Sequence, residues 1–184
     1  MKCSIQSTGV ALFAALVAVT VTGCSSTSAN APRVDGVVRQ SLNAAGFKDI
    51  SVSQDREKGV VTLTGHVATD QEKARAEAIA RSQAAGQVVA DEIAVLPAGR
   101  ESDAKTINSD LDKAIEKNLD AAYLQNGMNK NVKYSVKNGV VTLTGELNSP
   151  TWREEAARVA TSVPNVQQVV NEIQVKNQRA TSSR

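Results

Sequence analysis

The sequence predicts an α+β protein built from two tandem αββαβ repeats, each a three-stranded sheet packed by two helices. Three observations carry this expectation. The heptapeptide GVVTLTG occurs at Gly59–Gly65 and again at Gly139–Gly145. Aligned without a gap, Gly59–Val95 and Gly139–Val175 share 15 of 37 positions, among them Ala80 with Ala160, Val89 with Val169, Glu92 with Glu172 and Ile93 with Ile173. Within each repeat the apolar residues change from helical to strand spacing and back, which is the pattern of a mixed layer structure.

The first repeat opens with Val34, Val37, Val38 and Leu42 on one helical face, closed by Gly46. Ile50 and Val52 begin an outgoing strand, and the turn Asp55–Gly59 leads into the returning strand, which Gly65 stops. Either Thr69 or Asp70 caps the second helix, whose buried face is Ala76, Ile79 and Ala80. A last strand covers Asp91–Val95, and the polar stretch Leu96–Thr106 reads as a linker. In the second repeat Ile107, Leu111, Ala114, Ile115, Leu119 and Ala122 form the helix stripe. Val132–Val136 alternates as a half-buried strand, and Asn138-Gly139 is a strong hairpin signal. That turn is about two residues shorter than its counterpart. The strand Val140–Thr144 follows and Gly145 ends it; Ser149-Pro150 then opens a helix with Ala156, Val159 and Ala160 facing inward. Val169–Val175 is the closing strand, and Lys176–Arg184 reads as a frayed tail. Gly59, Gly65, Gly139 and Gly145 are the turn glycines. Whether the closing strand pairs beside the first or the second strand is open at this level.

The ends and the charge narrow the function classes. Lys2 followed by the apolar run Val10–Val21 is too short for a membrane span of roughly 20 residues and reads as a secretory signal peptide over 1–23. Val21-Thr22-Gly23-Cys24 resembles the lipobox of bacterial lipoproteins, with Cys24 as the acylated first residue and 24–32 as a lipidated start and spacer. The plainer alternative is an ordinary signal peptide and a stray cysteine. The position of Cys24 directly after the run, and the Ser/Ala-rich Ser25–Ala31, favour the lipoprotein. Ser25 also lacks the aspartate that retains enteric lipoproteins at the inner membrane, so outer-membrane sorting is expected. With Lys2 removed, 21 Lys+Arg become 20 against 19 Asp+Glu, a net of +1. That balance excludes the basic stripe of a nucleic-acid binder and a strongly basic membrane-docking surface.

The run VKYSVKNGVVTLTG, a helix holding Ala156 and Ala160, and then NVQQVVNEIQV together resemble the BON domain (bacterial osmotic-stress and nodulation domain). The resemblance covers nearly all of Arg33–Val175 in two copies, placed here at 33–96 and 107–176 with a linker at 97–106 and a tail at 177–184. Together with the lipobox it implies a dual-BON lipoprotein anchored in the outer membrane and facing the periplasm. It implies phospholipid contact through the second repeat, including its first helix. One departure is visible: family members usually carry Gly-Val before the last strand, whereas the first repeat has Ala85-Gly86-Gln87 and the second Asn165-Val166. That turn should pack differently in the first repeat.

No constellation suggests catalysis, a metal or a cofactor. His66, the single histidine, has neither a cysteine nor a second histidine to join it and reads as a solvated loop residue. The candidates for lipid contact are Trp152 with Arg153, then Tyr123, Leu124 and Met128 at the end of the first helix, and Lys130, Lys133 and Lys137 around the hairpin. Trp152 sits in a first helical turn where the first repeat has Glu72, and an indole beside a cation suits a membrane interface. The structural alternatives are a Trp152 folded over the sheet edge and lysines on a solvated strand face. A second function class also fits the near-neutral charge: a periplasmic scaffold that presents sheet edges or helices to other envelope proteins.

Overall fold

The computed structural model describes residues 30–128, 130–175 and 181–183. The leader expected at 1–23 and Cys24 lie outside the described residues. The first repeat comprises α1 (Asp35–Ala44), β1 (Ile50–Asp55), β2 (Val60–Val67), α2 (Asp70–Gln83) and β3 (Val88–Val95). The second comprises α3 (Glu101–Gln125), β4 (Val132–Lys137), β5 (Val140–Gly145), α4 (Pro150–Thr161) and β6 (Gln168–Asn171), with a short strand β7 (Thr181–Ser183) after it. The sheets run β1-β2-β3 and β4-β5-β6-β7. In each, the hairpin is antiparallel and the closing strand lies parallel beside the second strand. This answers the question the sequence left open: α2 and α4 are the crossovers that a parallel neighbour requires. Residues 181–183, expected as part of a frayed tail, instead pair antiparallel with β6.

The duplicated heptapeptide holds one strand between two backbone requirements. At its start, Asn138 and Gly139 both have positive φ, +49° and +77°, as a two-residue hairpin turn needs. The Asp112 carboxylate, from α3, accepts both of their backbone N–H groups at 2.8 and 2.9 Å. At its end, Gly145 has φ +132°, and a Cβ there would stand 2.4 Å from the carbonyl oxygen of Asn131. Gly65 repeats the arrangement at φ +123°, 2.1 Å from the oxygen of Asp49. Between these ends Val61, Leu63, Val141 and Leu143 are fully buried.

Each repeat has its own core. Ala76, Ala80, Ala156 and Ala160 are completely buried, and side chains this small let α2 and α4 lie close on their sheets. Thr69, not Asp70, caps α2: its side chain accepts from Glu72 N at 3.2 Å while the Glu72 carboxylate reaches back to Thr69 N at 3.3 Å. The turn before the closing strand does differ between repeats, with positive φ at Ala85 and Gly86 in the first and at Asn165 in the second.

The first helix of the second repeat departs most from expectation. It begins at Glu101, so 101–106, read as linker, is helical. Its buried residues are Ile115, Leu119 and Tyr123, all in its C-terminal half. Ile107, Leu111 and Ala114, expected in the core stripe, are exposed, as is Val37 of α1. For Ile107 and Leu111 the physical reason is length: α1 spans 10 residues and α3 spans 25, so the N-terminal part of α3 runs past the sheet it packs on.

The repeats also pack on one another. Val60, Ala90, Val140 and Val170 form a small dry cluster, each at most 2% exposed, with Val88 against it. Lys58–Glu172 and Lys137–Glu92 ion pairs at 2.7 and 3.1 Å cross the boundary.

Candidate functional site

Of the residues expected to touch lipid, Lys133 and Lys137 alternate with the core-facing residues of β4. Five others, Tyr123, Leu124, Met128, Trp152 and Arg153, lie at the end of the second repeat where the C-terminal part of α3 meets α4. Tyr123 makes that contact, its hydroxyl donating to the carbonyl oxygen of Ala156 at 3.0 Å. Its ring packs 5.9 Å from that of Tyr134. The Tyr134 hydroxyl in turn donates to the Asp120 carboxylate and to the Glu116 carbonyl. Burial pushes both phenols above their ordinary range, and the Asp120 contact adds to this for Tyr134. Both therefore stay neutral donors at physiological pH.

This geometry sorts the eight candidates. Tyr123, only 1% exposed, is the largest fully buried side chain of the second core rather than an exposed aromatic. Met128 is buried as well, and its backbone bonds to Tyr123 O and Val132 N carry the chain from helix to strand. Arg153 is a third correction, because it is 5% exposed and points inward. Its guanidinium donates to the carbonyl of Asn171 at 3.1 Å, and the Asn171 amide donates back to the carbonyl of Arg153 at 2.8 Å. This reciprocal pair ties the first turn of α4 to β6. Burial lowers the Arg153 pKa, but a guanidinium remains charged at any physiological pH. Lys137 is committed to Glu92 of the other repeat.

Besides Lys137, which stays exposed beside its partner, four candidates remain on the surface. Leu124 is 65% exposed and Trp152 50% exposed, the first directly after Tyr123 and the second one helical turn before Ala156. They flank the α3–α4 contact on opposite helices. Lys130 and Lys133 are exposed at the start of the hairpin that follows α3. The arrangement offers two apolar side chains on helices fixed from beneath by Tyr123 and Arg153, while Lys133 faces away on the other side of the sheet. It offers no acid–base pair and no nucleophile with a base beside it. His66, expected in a loop, lies in β2 and is exposed. Among the described residues no three His, Cys, Asp or Glu side chains gather as a metal site would need, and no helix is long and apolar enough to cross a membrane.

Sequence reasoning missed the exposure of Ile107 and Leu111, because the apolar period runs unbroken through α3. It missed the inward turn of Arg153 because nothing local marks Asn171 as its partner.

The BON domain family model matches residues 30–97 and 103–177. Curated proteins gave no match. Two solved structures are similar to the chain. One is CdsD, described as a structural protein of the type III secretion system of Chlamydia trachomatis, 13% identical over 75% of this chain and 90% of that one, with a TM-score of 0.35. The other is the C-terminal domain of CdsD, 20% identical over 77% of this chain and 66% of that one, with a TM-score of 0.31. BON domains are linked to membrane or phospholipid binding and to envelope proteins, and they are not a family of enzymes. Matched in both repeats and over most of its length, the chain belongs to the BON domain family.

Proposed function

We propose that the chain is a non-enzymatic envelope lipoprotein, held through Cys24 at the periplasmic face of the outer membrane, whose second repeat binds phospholipid. Its role is to support outer-membrane integrity or tolerance of osmotic stress. The observation that carries the lipid reading is the pair Leu124 and Trp152, large apolar side chains left in solvent at the α3–α4 end. An exposed indole is favoured at a bilayer interface, where its ring meets acyl chains and its N–H meets headgroups. Lys130, exposed a few residues after Leu124, would supply a cation for a lipid phosphate at that end, which supports anionic lipid. Lys133 alternates with core-facing Val132 and Tyr134 and so lies on the other face of the sheet. The charge of the whole chain is too even to hold it at a bilayer by long-range attraction, so the contact is local and the lipid on Cys24 supplies the standing attachment.

The test is co-sedimentation of residues 32–184, which lack Cys24, with anionic vesicles. Binding that falls when Trp152 and Leu124 are both replaced by serine supports the reading. A chain that stays in the supernatant favours the scaffold reading, in which other envelope proteins are the partners and lipid is only where the anchor sits.

A further inference from the structure

The contacts that join the repeats obey the same displacement of 80 residues that relates the repeats themselves. Lys58 Nζ meets Glu172 Oε2 at 2.7 Å. The equivalent positions, 138 and 92, also meet: Asn138 Nδ2 donates to the backbone oxygen of Glu92 at 2.9 Å. The dry centre follows the rule too, since Val60 is equivalent to Val140 and Ala90 to Val170, and all four pack together. When i on one partner meets j on the other, and j meets i, the interface is isologous, as in a two-fold dimer. The two halves of this chain are packed as two subunits would be.

The symmetry is broken at the Lys137–Glu92 ion pair, whose equivalent positions are Glu57 and Glu172, and at Gln168, which favours one pairing of halves. Gln168, 3% exposed, accepts from the backbone N–H of Asp91 at 3.0 Å and donates to the carbonyl of Val89 at 2.7 Å. Its amide thus gives the outer edge of β3 the donor and acceptor that a neighbouring strand would give. The equivalent position in the first repeat is Val88, which offers neither. First repeat against first repeat would leave those buried groups of β3 without the amide, at a cost in stability. Second against second would bring the amide to β6, whose outer edge is already bonded to β7. The face selects its opposite.

We infer that this face is a docking surface for the opposite repeat of a second copy of the chain, so that two chains exchange repeats about residues 97–100 into a reciprocal dimer. The contacts in the dimer are those of the closed chain. The two forms therefore differ chiefly in the entropy of association and in the conformation of the connection. A short connection gives the closed form an effective concentration in the millimolar range, so exchange is seen when chains approach about 1 mM. Chains gathered on a surface reach that density at much lower bulk concentration. The inference is independent of the membrane reading.

The experiment mixes two full-length chains of different tag length, both carrying Cys3→Ser and Cys24→Ser. One bears Lys58→Cys and the other Glu172→Cys, and the mixture is treated with a short bis-maleimide at rising concentration up to about 1 mM. A mixed adduct several-fold more abundant than either self-adduct is expected. A mixed adduct no more abundant than the self-adducts at every concentration overturns the inference.

Discussion

Replacing Gly145 by alanine adds one methyl group and forces two separate costs. The residue sits at φ +132°, outside the regions that L side chains adopt, and such a conformation costs on the order of 1–3 kcal/mol for a non-glycine residue. The added Cβ would also stand 2.4 Å from the Asn131 carbonyl oxygen, which is backbone just ahead of β4 and cannot swing aside as a side chain would. Moving it displaces the start of a strand whose first residue, Val132, is buried, and forced repacking of that kind costs about another 1–3 kcal/mol. A combined loss of about 3 kcal/mol or more follows. For a repeat of this size each kcal/mol lowers Tm by about 4–8 °C, so the second repeat should melt more than about 10 °C below wild type. Gly127→Ala is the control, because Gly127 has φ +67° with open space where the added methyl would stand and bears only the left-handed penalty of about 1–2 kcal/mol. Thermal melts followed by circular dichroism compare the two. A Gly145→Ala protein no less stable than Gly127→Ala would refute the close-approach argument, and with it the explanation for why both repeats end their heptapeptide in glycine.

Three further outcomes are expected. Asp91 is held above the usual carboxyl range by burial, against the opposing pull of Lys73 and Arg81, while Asn171 at the equivalent position accepts from Ile173 N at 3.2 Å much as Asp91 accepts from Ile93 N at 3.3 Å. A carboxyl whose pKa is higher folded than unfolded weakens the fold where it is ionised, so Asp91→Asn should raise Tm at pH 7 and the gain should shrink as pH falls; an unchanged or lower Tm at pH 7 counts against it. Tyr123→Phe leaves the buried Ala156 carbonyl without that donor and should lower stability by about 1 kcal/mol in denaturant titrations, whereas Leu124→Ser should leave stability within about 0.5 kcal/mol and weaken vesicle binding; the reverse pattern would contradict the assignment of one to the core and the other to the surface. Cys24→Ser should move the protein from membrane to soluble fractions, and retention on membranes after a high-salt wash would speak against the acyl anchor.

The fold was legible because each repeat states its periodicity locally. Alternation over Val132–Val136, the Asn138-Gly139 turn and the small inward faces of α2 and α4 are short-range features, and they dictate the elements that appear. The closing strand's partner was not legible, since an αββαβ order permits either neighbour of the hairpin. The site was read less well. Tyr123 and Leu124 are adjacent on a helix with a continuous apolar pattern, and only the position of α4 decides that one is core and the other surface. Arg153 looks like an interfacial cation in sequence, yet it turns inward because Asn171, 18 residues later, reciprocates its hydrogen bonds. The contact of Lys58 with Glu172 spans 114 residues and leaves no local trace, although the equivalence of Glu92 with Glu172 is plain when the two repeats are aligned.

Trp152 is the chain's single tryptophan, so its fluorescence reports one position without ambiguity. The Cys24→Ser chain is titrated with anionic phospholipid vesicles while emission and sedimentation are recorded together. The lipid reading predicts that the chain pellets with the vesicles and that emission shifts to shorter wavelength in step, as a half-exposed indole leaves water for the interface. Vesicles that carry the chain down while the spectrum stays where it was would contradict the placement of the site at the α3–α4 end, and a chain that never pellets would contradict phospholipid binding itself.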